Sequence, residues 1–237
     1  MTNIRYFTQP FEGGGGEFRT ELEKMFKRRQ TKRNSKGLKK DLALIGILFA
    51  RPSDPFAREN IIPELDYFNS RSAEHIDLFC VGYSKKPRNP KLKGSEPVVR
   101  IKNVPWWFDN DIFNNVRQQI EEESRWEYSG QTELLLANAR STFEGTEIDY
   151  SSAIPCKLEE MEKDKAIKNV REFFENVIRY AEDQDPENPA AKLSDKFGKK
   201  IAMSVIKKVI LTILLRSLAS EYDRARPFVL TDFSKKS

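Results

Sequence analysis

The sequence predicts an α/β protein with a mixed sheet, on three observations. Two apolar runs, LALIGILFA at Leu42–Ala50 and HIDLFCVG at His75–Gly82, have the length and the flanking turn residues of buried strands. The segment between them carries apolar residues at helical spacing. Hydrophobic residues make up 38% of the 237 residues, enough for a packed core although 32% are charged. A strand, a helix and a second strand in this order favour a right-handed parallel crossover.

The turn after the first strand, RPSDPFA at Arg51–Ala57, is predicted to start the first helix. Ser53 or Asp54 can cap that helix, and Pro55 suits its first turn. The predicted buried stripe of the helix consists of Phe56, Ile61, Leu65 and Phe68.

The segment from residue 84 to 105 holds four prolines and is predicted to be a long irregular excursion. Asp109 or Asp111 then starts a second helix, whose apolar face is formed by Ile112, Phe113, Val116 and Ile120. A hairpin of Thr132–Ala139 and Thr146–Tyr150 is expected to follow it. Pro155–Asp183 is predicted to be one long amphipathic helix, with Cys156 at its start.

The two ends of the chain are predicted to lie outside the α/β domain, which we place at residues 41–185. Residues 1–40 form a basic N-terminal arm with a glycine hinge at Gly13–Gly16, and Arg19–Lys40 contains ten Lys or Arg residues. Residues 190–237 form a C-terminal helical extension, whose helical part, Ala190–Tyr222, is apolar over more than half its circumference in its second half, Ile201–Leu218. We expect this apolar face to be buried against the α/β domain, against a second copy of the chain or against a partner protein.

The order strand, helix, strand, helix, strand, strand, helix resembles the thioredoxin-like fold, a three-layer sandwich. RPSDPFARENIIPELDYF is similar to the region of thiol-disulfide redoxins where a Cys-x-x-Cys turn caps a helix, and Pro63-Glu64-Leu65 fits the proline kink of that helix. Gly130-Gln131-Thr132 lies where such proteins carry a cis-proline loop. The turn here has no cysteine and the loop has no proline, so the resemblance implies the fold without its thiol chemistry.

The sequence gives little indication of other catalytic sites or of metal sites. The two cysteines, Cys80 and Cys156, have no neighbouring cysteine, and His75 is the only histidine. The acidic residues lie in helices as solvated faces, and no glycine-rich phosphate cradle is present. We therefore predict no catalytic residue, no metal and no cofactor.

The strand-to-helix turn is a candidate anion or ligand site, because a helix start presents free N–H groups and nearby arginines add charge. Its candidate residues are Arg51, Ser53, Asp54 and Arg58. The alternative is ordinary helix capping.

The basic segments are candidates for nucleic-acid contact, with a solvated surface as the alternative. The candidate residues are Lys27, Arg28, Arg29, Lys32, Arg33, Lys85, Lys86 and Arg88. A candidate surface for a protein partner, with a tryptophan pair that could also stack on bases, consists of Trp106, Trp107, Ile206, Ile210 and Ile213.

These patterns favour a non-catalytic binding or scaffold protein of a cytoplasmic complex, acting through protein contacts or self-association, with nucleic acid as a second candidate partner. No leader precedes residue 20, and the longest apolar run is far shorter than the ~20 residues of a membrane span, so no membrane contact is expected. Two alternatives remain: an enzyme with an unrecognised site at residues 51–58, and a nucleic-acid-binding protein proper.

Overall fold

The computed structural model describes residues 4–5, 20, 22–25, 27, 42–72, 76–85, 97–142, 145–164, 167–183 and 232–235. Within these residues the chain has a mixed α/β structure with a mixed sheet and several helices. Most of the predicted C-terminal extension lies outside them. So do His75 and nine candidate residues: Arg28, Arg29, Lys32, Arg33, Lys86, Arg88, Ile206, Ile210 and Ile213.

The described strands form a five-stranded and a three-stranded sheet. Their bounds are β1 Ile4–Arg5, β2 Leu42–Phe49, β3 Asp77–Cys80, β4 Tyr83–Ser84, β5 Val99–Ile101, β6 Val104–Phe108, β7 Glu133–Thr142 and β8 Gly145–Lys157. The large sheet has the order β1-β3-β2-β7-β8. In it β3 pairs parallel with both β1 and β2, whereas β7 pairs antiparallel with β2 and with β8. The predicted parallel pair and the predicted hairpin are both present.

The central strand β2 separates two hydrophobic cores because its side chains alternate between the faces of the sheet. Ile45, Ile47 and Phe49 belong to one core, whereas Leu48 belongs to the other. A strand with both faces covered reads as a continuous apolar run, and this explains the pattern of residues 42–50.

The chain between β2 and β3 is helical but irregular. A π-helical segment, Ala57–Ile61, leads into a 3-10 turn, Ile62–Glu64, and then into helix α1, Leu65–Ser72. Pro63 lies where the geometry changes, because proline cannot donate to the preceding turn and its ring crowds the carbonyl there. The predicted stripe is confirmed: Ile61, Leu65 and Phe68 are buried, and Phe56 packs against the same core.

The segment predicted as an irregular excursion, residues 84–105, contains β5 and the start of β6, so that prediction is wrong for residues 99–101 and 104–105. β6 pairs antiparallel with both β4 and β5. The β5–β6 turn has positive φ at Lys102 and Asn103, and the Lys102 backbone N–H donates to the Asp66 carboxylate of α1 at 2.9 Å. This hydrogen bond ties the small sheet to the helix layer.

Helix α2, Asn110–Glu123, begins after Asp109, whose carboxylate accepts hydrogen bonds from the backbone of Asp111 and Ile112. Asp109 is thus one of the two caps that the sequence predicted. All four predicted face residues are buried against β2, β3 and β7, as the shared core shows.

The long helix predicted at Pro155–Asp183 is wrong in its first half. Residues 155–157 complete β8, a short helix α3 spans Leu158–Lys163, and helix α4 spans Val170–Asp183. β8 is an edge strand of the large sheet. Pro155 is tolerated there because an edge strand has a neighbour on one side only, so the missing N–H need not interrupt the hydrogen bonds between strands. Cys156 therefore lies in a strand and does not start a helix.

The described residues of the predicted arm pack on the body of the protein. Ile4 and Arg5 pair with β3, and the helical residues Leu22 and Met25 are buried in the same core as α2. At the other end of the chain, the backbone N–H of Phe233 donates to the Tyr150 carbonyl of β8 at 2.9 Å.

Candidate functional site

The turn that carries the predicted anion site lies at the carboxyl end of β2. The backbone N–H of Asp54 donates to the carbonyl of Arg51 at 3.0 Å and closes the turn. Ligands of open α/β sheets bind at this end of the parallel strands, so the turn is where a site would be sought first.

Arg51 is held by the aromatic and amide side chains of α2 and of the loop after it. Its guanidinium carbon lies 4.4 Å from the centre of the Phe113 ring and 6.0 Å from that of Tyr128. Its Nη2 donates to Asn114 Oδ1 at 2.9 Å. The half-buried guanidinium is thus fixed in position by cation–π contacts and one hydrogen bond.

Asp54 holds the turn together. Its Oδ1 accepts the backbone N–H of Phe56 at 3.0 Å, which makes it the predicted helix cap, and its Oδ2 accepts the hydroxyl of Thr132. The second bond joins the turn to the residue before β7. The carboxylate therefore has a structural role with both of its oxygens.

The other two candidates at the turn are not brought to Arg51. The side chains of Ser53 and Arg58 are exposed, and neither makes a hydrogen bond or an ion pair in the described part of the chain. The structure thus joins Arg51 and Asp54 to residues far along the sequence and leaves Ser53 and Arg58 in solvent.

Tyr128 lies beside Arg51 on a loop supported by two glutamates. Its backbone N–H donates to Glu121 at 3.0 Å, and the buried Glu133 accepts from Trp126 Nε1 at 2.9 Å and from the Ser129 hydroxyl at 2.9 Å. Burial raises the pKa of the Tyr128 phenol to about 12, against the smaller lowering effect of Arg51. The phenol therefore remains protonated at neutral pH.

Neither thiol belongs to this site. Cys80 ends β3 and Cys156 lies near the end of β8, and both are buried and free. Burial raises the pKa of Cys80 to about 12, and burial, with a smaller contribution from Glu133, raises that of Cys156.

The structure also corrects the tryptophan surface. Trp106 is 0% exposed and belongs to the core, so it cannot offer a surface for partner contact or stacking. Trp107 is half-buried, and Lys85 Nζ lies 5.7 Å from the Trp106 ring. Lys27 is exposed on the N-terminal helical residues.

The described residues contain no group of three or more His, Cys, Asp and Glu side chains that could hold a metal ion. In the same part of the chain, no helix is long and apolar enough to cross a membrane.

Comparison of the chain with models of protein families, with curated proteins and with solved structures finds no match. The residues themselves therefore carry every argument about function below.

Sequence reasoning missed the partners of Arg51. Phe113 was identified only as a core residue, and Asn114 and Tyr128 carry no motif. Their contacts with Arg51 span 62 or more positions of the chain, which no local pattern reports. The one available signal was the position of Gly130-Gln131-Thr132, which the family resemblance aligns with a loop near the turn.

Proposed function

We propose that the body is a degenerate thioredoxin-like domain. Its support is the order of the elements: β2, α1, β3, α2, β7, β8 and the helices α3 and α4 follow the order of that fold, with β4 to β6 inserted. The helices also pack on both faces of the sheet, because α1 and α4 contribute to one core and α2 to the other.

We propose further that the protein acts in the cytoplasm by binding, as a scaffold or subunit of a complex, and not by catalysis. One observation carries this proposal. At the turn where the redox proteins that this sequence resembles hold their thiols, both oxygens of the acidic side chain accept structural hydrogen bonds, and a guanidinium is held without a carboxylate partner among the described residues. A positioned cation suits recognition, whereas catalysis by the alternative enzyme needs a nucleophile or base in the same place.

The test is purification of the full chain with its natural neighbours, followed by identification of what co-elutes at low and at high salt. We expect a stable protein complex that survives high salt, together with no disulfide reductase activity. A monomer without partners and with a measurable turnover would overturn the binding proposal in favour of the enzyme.

A second candidate function, nucleic-acid binding, is favoured by the outer face of the small sheet. Arg100 and Lys102 are exposed there, and Trp107 lies on the face opposite the buried Trp106, since neighbouring residues of a strand point to opposite sides. Basic side chains beside a partly exposed aromatic ring suit single strands, which combine phosphate contacts with base stacking.

Binding of the full chain to a fluorescent single-stranded oligonucleotide, measured across a salt series, tests this second candidate. Two changes, Arg100→Ala and Lys102→Asn, should weaken binding, and asparagine tolerates the positive φ of position 102. Lys168→Ala, which removes an 80% exposed lysine elsewhere, is the matched control. A fivefold substitution of Lys27, Arg28, Arg29, Lys32 and Arg33 by Ala tests the predicted arm in the same assay. Absence of binding would rule out nucleic acid as the partner, and binding that is insensitive to salt and to all these changes would rule out these basic surfaces.

A further inference from the structure

The guanidinium of Arg51 has no ion-pair partner among the described residues. Arg51 makes one hydrogen bond there, to a neutral amide, and its buried Nε has no hydrogen-bond acceptor. The acidic residue of the same turn, Asp54, bonds to Phe56 and Thr132 instead. A half-buried cation without a paired anion carries a desolvation cost that a bound anion would offset.

A second guanidinium lies on the same face of α2. Asn114, Arg117 and Glu121 are spaced by three and four residues, so they follow one another along one side of the helix. Arg117 Nη1 is 3.7 Å from a Glu121 oxygen, at the edge of ion-pair distance, and the buried Nε of Arg117 also has no acceptor. This face of α2 therefore carries a second guanidinium, whose charge the Glu121 carboxylate partly balances.

The phenol of Tyr128 adds a neutral donor. Its ring contacts Arg51, its backbone is anchored to Glu121, and its hydroxyl makes no hydrogen bond within the described residues. Besides burial, the guanidinium groups of Arg51 and Arg117 and the carboxylates of Glu133 and Asp54 all act on the pKa of the Tyr128 phenol. Arg51, Arg117 and Tyr128 thus have N–H and O–H groups that donate to no described residue. The rings of Phe113 and Tyr128 lie against the guanidinium of Arg51.

We propose that Arg51, Arg117 and Tyr128 form a binding site for an oxyanion, a carboxylate or a phosphate group. The planar guanidinium offers parallel N–H donors that match two oxygens of such a group, which a chloride ion cannot satisfy. Arg51 is prearranged by Phe113 and Asn114, so little side-chain entropy is lost on binding. This inference deepens the proposed binding function and rests on it for its biological role, but the binding itself is tested separately.

The experiment is a titration of the isotope-labelled full chain with sodium phosphate and, separately, with sodium acetate, followed by NMR at constant ionic strength with chloride as the balancing ion. We expect saturable shifts of the Arg51 Nε–H and of the backbone amides of Asn114 and Tyr128. Tighter binding of phosphate would identify a phosphate site, and tighter binding of acetate a carboxylate site.

Variants show whether Arg51 is responsible. Arg51→Met should lose at least about tenfold in affinity, and Arg51→Lys, which keeps the charge but not the planar fork, should lose part of it. Arg58→Met is the matched control, since Arg58 follows the same turn and is exposed. Tyr128→Phe, which removes a single hydroxyl and keeps the ring, should weaken binding several-fold and gives a second measurement should the Arg51 variants fail to fold.

Absence of saturation, an unchanged affinity in Arg51→Met, or an equal loss in Arg58→Met would overturn the site. None of these results depends on whether the chain co-elutes with a protein partner. Failure of the oxyanion site and failure of the proposed binding function are therefore distinguishable.

Discussion

At the scale of single residues, the two thiols show how burial controls reactivity. Cys80 and Cys156 are each 1% exposed, and burial raises both pKa values, that of Cys80 to about 12. Only the thiolate reacts quickly, and it is almost absent at pH 8 in both positions.

We expect no rapid reaction of the native protein with an aromatic disulfide reagent at pH 8, and reaction of two thiols once the chain is unfolded in denaturant. Absorbance of the released thiolate measures both. A fast-reacting thiol in the folded chain would contradict the buried positions, and with them the argument against redox chemistry.

Gly46 is another residue whose role depends on its neighbours. It lies in β2, and a Cβ there would stand 2.7 Å from Leu78 Cδ2 and 3.2 Å from Leu134 Cδ1. The strands on either side of β2 thus fill the space that a side chain would need.

Gly46→Ala should lower the free energy of unfolding by about 1 to 3 kcal/mol, because overpacking shifts buried side chains from their preferred rotamers. Chemical denaturation measures the change. Leu78→Val shortens the obstructing side chain, so the double variant should lose less than the sum of the two single changes. If the losses in free energy of unfolding of the two single variants simply add in the double variant, the destabilisation by Gly46→Ala does not come from contact with Leu78.

At the scale of elements, α1 and α4 are joined by an aromatic stack and an ionic cluster. The rings of Phe68 and Phe174 stack with centroids 4.2 Å apart. Above them, Glu175 accepts from Arg71 through both oxygens, at 2.6 and 3.1 Å, and from the Tyr67 hydroxyl at 2.9 Å. The hydrogen bonds from Arg71 are the main cause that lowers the pKa of Glu175 from 4.5 to about 2.

A lowered pKa means that this cluster stabilises the fold above the ordinary pKa of glutamate and that its contribution is lost as pH falls from about 4.5 towards 2. Glu175→Gln should therefore cost about 1 kcal/mol at pH 7, a small value because Arg71 is 42% exposed. The difference from the unsubstituted protein should shrink as the pH approaches 2.

Denaturation series at pH 7, 4 and 2.5 provide the measurement. Tyr67→Phe, which removes one donor and leaves the paired Arg71, should have a smaller effect at each pH. A Glu175→Gln difference that stays constant across the series would show that ionisation of Glu175 does not contribute.

At the scale of the whole molecule, a segment near the C-terminus joins two elements that are distant in sequence. The Phe233 backbone donates to the Tyr150 carbonyl of β8, and its own carbonyl accepts from Arg125, just after α2, at 2.7 Å. The Phe233 ring packs against the core that α2 shares with the sheet.

Phe233→Ala should lower the free energy of unfolding by about 1 to 3 kcal/mol, below the usual loss for a fully buried ring because Phe233 is half-exposed. Hydrogen exchange of the Arg125 amide should accelerate as well, since its acceptor is on the same segment. Glu127→Ala, a change at an exposed residue two positions after Arg125, should alter stability by less than about 0.5 kcal/mol. Equal effects of the two variants would show that the ring adds nothing to the packing.

The sequence by itself determined the elements whose pattern is local. The apolar run of β2, the capped start and buried stripe of the helical segment after it, and the apolar face of α2 all follow from spacing and from the turn residues at their ends. These signals are complete within a few turns of chain, and the structure confirms them.

Only the tertiary structure decided the features that depend on distant partners. The local sequence around Cys156 and Lys157 predicts a helix, yet these residues pair with Leu134 and Glu133 of β7. Hydrogen bonding and packing between the two strands outweigh the weak local preference for a helix. Trp106 is buried because the small sheet folds onto the core. Arg51 is an anion candidate from the sequence, but its fixed position comes only from α2, which places Phe113 and Asn114 against the guanidinium.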